Sequence, residues 1–125
     1  MILLLDPHAV LWWLADDGQL SDQARRAIAD PANEVLISAA SIWEIEVKRA
    51  AGRLDAPGEL LEDLDRARID ALPLLAVDAV TAARLPLHHR DPFDRMVVAQ
   101  AQRLAATVVS RDRAFAAYGV GVLQA

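Results

Sequence analysis

Residues 88–112 read HHRDPFDRMVVAQAQRLAATVVSRD, and their pattern shows how the chain is built. Pro92 marks the start of a helix, because proline is well tolerated at the first helical position. From Phe93 onward, apolar residues recur at the spacing of one helix face. The β-branched run at residues 107–109 then predicts a short buried strand. The stretch therefore predicts a helix and a strand in succession, with acids at the start of the helix and just past the strand.

The rest of the chain repeats this alternation of strands and helices. Ile2–Leu5 and Glu34–Ser38 are short apolar runs, typical of strands that are covered on both faces. Leu72–Val77 is a third strand candidate, and Pro73 favours an edge position for it. Further predicted elements are helices at Pro7–Leu14, Asp22–Ala29 (with Ser21 as N-cap), Ser41–Ala51, from Pro57 onward and at Ala79–Leu85, and a last strand at Val120–Leu123. We expect one α/β domain, residues 1–125, with a mostly parallel central sheet flanked by helices in three layers.

Two of the predicted helix starts depend on capping patterns. Ser41 and Glu44 match the capping box, in which a serine and a glutamate three residues later satisfy each other's backbone N–H groups. Asp78 is the predicted N-cap of the helix that follows it. Gly52 is the predicted stop of the helix that begins at Ser41.

Composition narrows the possible functions. The chain has 125 residues, 54% of them hydrophobic, which is enough for one core. It contains no cysteine, so a metal site must use oxygen or histidine, and a reducing cytoplasm is expected. The first residues, MILLLDPH, are too few and too soon interrupted for a membrane span. The net charge of −5, from 13 basic and 18 acidic residues, argues against general electrostatic binding of nucleic acid but not against a metal-bridged substrate.

Four acids stand out because of their positions. Asp6 follows the first strand, Glu44 follows the second, Asp94 lies at the start of a helix, and Asp112 follows the fourth strand. In a parallel sheet all four would point toward the carboxyl edge, where open α/β sheets bind their ligands. Asp6, Asp91, Glu44 and Asp112 each have a structural explanation as part of a helix cap when taken alone. A shared cluster is harder to explain by capping.

Crowded carboxylates repel one another unless a cation lies among them. Mg²⁺ or Mn²⁺ is the natural cation where thiols are absent and histidines are few. Such ions activate water and stabilise the leaving oxygen in phosphodiester hydrolysis. Arg95 and Arg111 each adjoin one of the acids and are candidate contacts for substrate phosphate, the alternative for each being a solvated or ion-paired arginine. His88 and His89 lie in a loop with no clear partner and are expected to be exposed or to face substrate.

Four segments together resemble the PIN-domain ribonucleases, and within them the VapC toxins of type II toxin–antitoxin pairs. These segments read LLLDPHAVLWWL, ISAASIWEIEVKRAAGRL, HHRDPFDRMVVAQA and VVSRDRAF. Each is degenerate alone, but their order along the whole chain is specific.

The resemblance implies that Asp6, Glu44, Asp94 and Asp112 coordinate Mg²⁺ or Mn²⁺. Asp94 is preferred over Asp91 as the third ligand because small residues follow it at the family's spacing. Asp91 then caps the helix and could support the metal ligands without binding the ion itself. Ser110 matches a position whose hydroxyl supports a metal-binding acid. The chain departs from the family pattern at Pro7, where threonine or serine is usual.

The resemblance also implies the partners of the protein. These are a structured RNA substrate such as transfer or ribosomal RNA, a cognate antitoxin that inserts a peptide into or near the cleft, and a second copy in a homodimer. A membrane partner is not expected.

Two alternatives remain open at this point. A phospho-receiver-like signalling domain is also an acidic α/β domain, but it needs paired acids after the first strand and a lysine after a late one. Here Asp6 has no adjacent acid, and Lys48 lies within a predicted helix. The second alternative is a PIN-like module without catalytic activity, which the presence of all four acids disfavours.

Overall fold

A computed structural model describes residues 1–55 and 58–125. The strands are β1 (Ile2–Leu5), β2 (Glu34–Ser38), β3 (Asp70–Leu72), β4 (Thr107–Ser110) and β5 (Gly121–Gln124). The helices are α1 (Pro7–Leu14), α2 (Asp22–Ala29), α3 (Ala39–Ala50), α4 (Leu60–Arg66), α5 (Ala76–Arg84), α6 (Pro92–Leu104) and a 3₁₀ helix at Arg113–Tyr118.

The sheet has five strands in the order β3-β2-β1-β4-β5, and every pairing is parallel. The chain moves outward from β1 through β2 to β3 and then returns to the other side of β1 to form β4. The strand order thus reverses between β1 and β4, and the carboxyl ends of these two neighbours form the crevice in which open α/β sheets bind ligands. The predicted mainly parallel sheet is confirmed.

Two apolar layers cover the sheet. Side chains of β1 alternate between them, so that Leu3 and Leu5 join one layer while Leu4 joins the other. The first layer is closed by α1, α2, α3 and α4, and the second by α6 and the 3₁₀ helix, whose Phe115 is fully buried. Helices therefore pack on both faces, which gives the three-layer α/β/α architecture that the sequence predicted.

Several predicted element boundaries are wrong, beginning with those of α3 and β3. The helix expected from Ser41 begins at Ala39, and its N-cap is Ser38, whose Oγ accepts the N–H of Ala40 at 3.1 Å. No capping box forms at Ser41, since β2 passes directly into α3. The predicted strand at residues 72–77 is also too late, because β3 ends before Pro73.

The start of α5 also differs from the prediction. The helix begins at Ala76, so Asp78 lies within its first turn instead of capping it. The Asp78 carboxylate nevertheless accepts the N–H of Leu75, at 2.9 Å, and pairs with Arg103 of α6 at 2.7 Å. The predicted helix start at Pro57 lies outside the described residues. Within the described part of the chain, no helix is long and apolar enough to cross a bilayer.

Candidate active site

The centre of the site joins the carboxyl ends of β1 and β4. Asp6 follows β1 and is 8% exposed, and its Oδ2 accepts the hydroxyl of Ser110 at 2.5 Å. Its Oδ1 accepts the N–H of Ala9 at 2.8 Å, so Asp6 is also the N-cap of α1. Because both carboxylate oxygens are bonded, the orientation of Asp6 is fixed. Ser110 thus contacts the first of the four acids directly.

Glu44 reaches the same region from the second turn of α3. Its side chain is buried, and Lys48, one turn further along, donates to Glu44 Oε2 at 2.8 Å. The spacing of four residues places this pair on one face of the helix. The i,i+4 spacing of Glu44 and Lys48 is the signal in the sequence that indicates this contact.

The start of α6 supplies two acids with different surroundings. Asp91 caps the helix as predicted, because its Oδ1 accepts the N–H of Phe93 at 2.8 Å. Asp94 makes no such cap and faces the other acids. Carboxylate oxygens of Glu44, Asp91 and Asp94 lie within 4.8 Å of one another. Asp91 is therefore part of the cluster as well as a cap.

Asp112 follows β4 and enters the site together with a histidine that sequence reasoning placed in a loop without a clear partner. Asp112 Oδ1 accepts the N–H of Ala114 at 2.9 Å and caps the 3₁₀ helix. His89 Nε2 lies 2.7 Å from Asp112 Oδ2 and 2.9 Å from Asp94 Oδ2. His89 is expected to be exposed or to face substrate, and the first of these alternatives is wrong because its side chain is only 17% exposed. No local pattern joins residues 89 and 112, and only the fold brings them together.

The acids do not share one electrostatic environment. Burial and the charges of Asp91, Glu44 and Asp112, against the effect of His89, together raise the pKa of Asp94 to about 7. Burial also raises the pKa of Asp6, although its bonds from Ser110 and the N–H of Ala9 oppose the shift. For Asp112, burial is outweighed by the bonds from the N–H of Ala114 and from His89, which hold its pKa below the usual range. The carboxyl groups of Asp6 and Asp94 therefore resist ionisation unless a positive charge lies close to them.

A cavity of about 460 Å³ opens over these acids. Its lining includes all four predicted ligands, and also His8, Trp12, Lys48 and Arg111. The cleft is therefore lined by acids together with basic and aromatic side chains. Basic and aromatic side chains suit a ligand that carries both anionic groups and flat rings.

Arg111 is held in place beside the acids. Its Nε donates to the carbonyl oxygen of Ala125 at 3.2 Å, and its Nη2 donates to that of Gln19. Its Cζ lies 4.2 Å from the centre of the Trp12 ring, a cation–π distance. Arg111 therefore lines the cleft beside the predicted metal ligands.

The expectation that Arg95 contacts substrate phosphate is wrong. Arg95 is 9% exposed, and its guanidinium turns away from the cleft into the end of α5. There it donates to the carbonyl oxygens of residues 82, 83, 85, 86 and 89. The unpaired carbonyls at a helix C-terminus attract a cation, which explains why this arginine is buried without a carboxylate partner.

The donor set fits a hard divalent cation. Among the described residues, two groups have ligand atoms close enough to share an ion: Glu44 with Asp91 and Asp94, and His89 with Asp94 and Asp112. Nearly all of these donors are carboxylate oxygens, which suits Mg²⁺ or Mn²⁺. Asp94 belongs to both groups.

Fold and site together define an α/β domain with an acidic cleft at the carboxyl edge of a parallel sheet. Residues 3–121 match the model of the PIN domain, and the chain belongs to that family. Over 114 residues it is 30% identical to Ribonuclease VapC22 of Mycobacterium tuberculosis, and these residues cover 89% of this chain and 87% of that protein. The resemblance to VapC-type PIN ribonucleases is therefore confirmed. Because the chain belongs to the PIN family, the phospho-receiver alternative is set aside.

Solved structures share the fold at lower identity. VapBC2 from Rickettsia felis, bound to a DNA fragment from its promoter, superposes with a TM-score of 0.72 at 15% identity and covers 98% of each chain. A toxin–antitoxin complex from Klebsiella pneumoniae gives 0.64 at 19% identity, over 98% of this chain and 96% of that one. These likenesses establish the architecture along the whole chain.

Proposed function

We propose that this protein is an Mg²⁺- or Mn²⁺-dependent endoribonuclease that hydrolyses phosphodiester bonds in structured RNA. The observation that carries the proposal is the meeting of Asp6, Glu44, Asp94 and Asp112, from four separate elements, in one cleft. The similarity to a protein named as a ribonuclease supports the same activity. We propose these four residues as the ligand set, with Ser110 and Asp91 supporting it.

A bound divalent ion would supply an activated water and would neutralise charge on the scissile phosphate. The chain's own residues prepare the site for that ion. Ser110 and the N–H of Ala9 fix both oxygens of Asp6, so this ligand needs little reorganisation. Asp94, whose pKa is raised by burial, must lose its proton to bind, and it does so more readily near a cation.

Arg111 is the proposed contact for substrate phosphate. Two backbone carbonyls and the Trp12 ring hold its guanidinium at the rim of the acids, and a fixed arginine fork recognises phosphate with little loss of entropy. This local positive charge explains how a chain of net charge −5 could hold an RNA backbone. We propose transfer or ribosomal RNA as the substrate class.

The test is cleavage of purified transfer RNA and of a folded ribosomal RNA fragment by the metal-free protein, with and without added Mg²⁺ or Mn²⁺. We expect cleavage only with metal, and none from Asp94→Asn, while Asp65→Asn on the exposed face of α4 serves as the matched control. Cleavage that persists in chelator would refute the proposed mechanism. A folded protein that binds RNA but never cuts it would support the inactive-module alternative.

We further propose that the protein is the toxin of a toxin–antitoxin pair in the cytoplasm. The support is the similarity to a VapC ribonuclease and to chains from toxin–antitoxin complexes. Induced expression should arrest growth, and co-expression of the product of the adjacent small reading frame should restore it. Growth arrest by Asp94→Asn at equal expression would contradict a nuclease toxin.

A homodimer is proposed as the working form. Exposed apolar side chains gather before and along α5, where Leu75, Val77 and Val80 are each about half exposed. Such a patch is unusual on a monomer and typical of an interface. Light scattering should give twice the chain mass of 13.6 kDa, and Val77→Asp should shift it toward the monomer. A monomeric wild type at micromolar concentration would contradict the dimer.

A further inference from the structure

His89 makes two short contacts inside the acid cluster, and its ring is fixed in one tautomer. Its Nε2 lies 2.7 Å from Asp112 Oδ2 and 2.9 Å from Asp94 Oδ2. On the other side of the ring, Nδ1 accepts the backbone N–H of Asp91 at 3.2 Å. A nitrogen that accepts a hydrogen bond carries no proton, so the ring proton lies on Nε2. One N–H is therefore shared by two carboxylates.

The backbone of His89 is held as firmly as its ring. Its N–H donates to the hydroxyl of Tyr118 at 2.8 Å, and its carbonyl accepts from the guanidinium of Arg95 at 3.2 Å. The ring centre lies 6.0 Å from that of Phe115, which is fully buried. These contacts come from α6 and the 3₁₀ helix, the two elements that follow Asp91 and Asp112. The position of the shared N–H is thus set by the fold.

We infer that His89 is a positioning residue that bridges Asp94 and Asp112 in the metal-free site, and that a divalent cation displaces this bridge when it binds. The inference rests on the proposed metal-dependent function. His89, Asp94 and Asp112 also form one of the groups whose ligand atoms lie within 4.8 Å of one another, so the bridge lies where an ion could be held. Two carboxylates without either the N–H or a cation between them would repel.

In this scheme His89 bridges the two carboxylates and does not bind the metal, because its Nδ1 accepts the N–H of Asp91. A neutral histidine binds a metal through the nitrogen that lacks a proton. Binding through Nε2 would require the proton on Nδ1, where it would face the N–H of Asp91. The two roles predict opposite changes in metal affinity when the imidazole is removed. Affinity rises if His89 is a bridge and falls if His89 is a ligand.

The test compares His89→Phe, which keeps a ring against Phe115, with His89→Gln, whose amide can still donate to both carboxylates. His88→Phe is the matched control, since His88 packs against Tyr118, with ring centres 5.1 Å apart. Mn²⁺ binding to metal-free protein is measured by calorimetry at pH 7.5, and metal-free thermal stability by circular dichroism. Neither readout depends on cleavage.

We expect His89→Phe to melt at a lower temperature without metal and to bind Mn²⁺ about tenfold more tightly, because its metal-free state has lost a bond to charged groups that the metal-bound state never had. His89→Gln and His88→Phe should stay near wild type in both measurements. Weaker Mn²⁺ binding by His89→Phe would make His89 a ligand and overturn the inference, as would unchanged binding.

Failure of the proposed function would look different. A wild type that binds no Mn²⁺ would refute the metal site and with it the displacement of His89. The bridging of Asp94 and Asp112 would then be judged by metal-free melting alone: a lower midpoint in His89→Phe that is restored in His89→Gln supports it, and equal midpoints refute it.

Discussion

Replacing Arg95 tests whether this residue stabilises the fold or holds RNA. The sequence places it beside Asp94 and so favours a phosphate contact, whereas in the structure it is buried at the C-terminal end of α5. Its guanidinium ties the last carbonyls of that helix to the loop that carries His89. Arg95→Met keeps much of the apolar stem and removes every one of these donors. Stability should therefore fall, and the effect on RNA should be indirect.

The size of the loss follows from the two strongest bonds. Arg95 Nη2 donates at 2.8 Å both to the buried carbonyl of Ala82 and to that of Leu85, while the other three bonds are longer and partly solvated. A hydrogen bond to a charged group contributes about 1.5 kcal/mol or more, so the two together give a loss of about 3 kcal/mol. For a domain of this size, that loss lowers the melting temperature by about 10 °C.

Urea unfolding followed by circular dichroism measures the free energy directly, with Arg84→Met as the control because Arg84 is exposed on the last turn of α5. The control should change stability by less than about 0.5 kcal/mol. Arg95→Lys should lie between the two, since a single ammonium cannot reach several carbonyls at once. If Arg95→Met is as stable as wild type but binds RNA more weakly, the structural role is refuted and the phosphate role returns.

Three further predictions concern the cleft. Asp91→Asn should retain more metal-dependent cleavage than Asp94→Asn, because asparagine also caps helices; parallel cleavage assays check this, and the reverse order would make Asp91 the third ligand. Because burial and the charge of Asp91 raise the pKa of Asp94 to about 7, protons should compete with metal below that pH. Calorimetry should show Mn²⁺ binding about tenfold tighter at pH 8 than at pH 6, and equal affinities would contradict this competition. Arg111→Gln should raise KM for RNA about tenfold with little change in kcat, and Trp12→Leu should do so more weakly; an unchanged KM would remove Arg111 from the substrate site.

The architecture could be predicted from the sequence because its signals are local. Apolar runs such as Ile2–Leu5 indicate strands covered on both faces, and such strands are usually parallel and separated by helices. The helix boundaries were less accessible. Ser38 is both the last residue of β2 and the N-cap of α3, a double role that the capping pattern at Ser41 concealed. Where a strand passes directly into a helix, the helix begins after the first residue that can cap it, which here is Ser38.

The roles of Arg95 and His89 could not be predicted, because both depend on contacts between elements that are far apart in the chain. Arg95 bonds to the end of α5, and His89 bonds to Asp112 at a separation of 23 residues. A charged residue next to a site residue in sequence can point in the opposite direction when it lies on a helix. Neighbours in sequence are therefore poor guides to which arginine faces the substrate, as the contrast between Arg95 and Arg111 shows.

Capping and metal binding do not compete as explanations for the acids. Asp6, Asp91 and Asp112 each cap a helix, and each also lies in the cleft. For Asp6 and Asp112 the parallel sheet is the reason, because each follows a strand that ends at the shared edge and caps the helix that begins there. Asp91 follows α5 instead and caps the helix that leads into β4. Glu44 and Asp94 are different, since neither caps a helix, yet both are held near the others away from water. Capping cannot account for these two carboxylates, and they are therefore the strongest structural argument for a cation in this cleft.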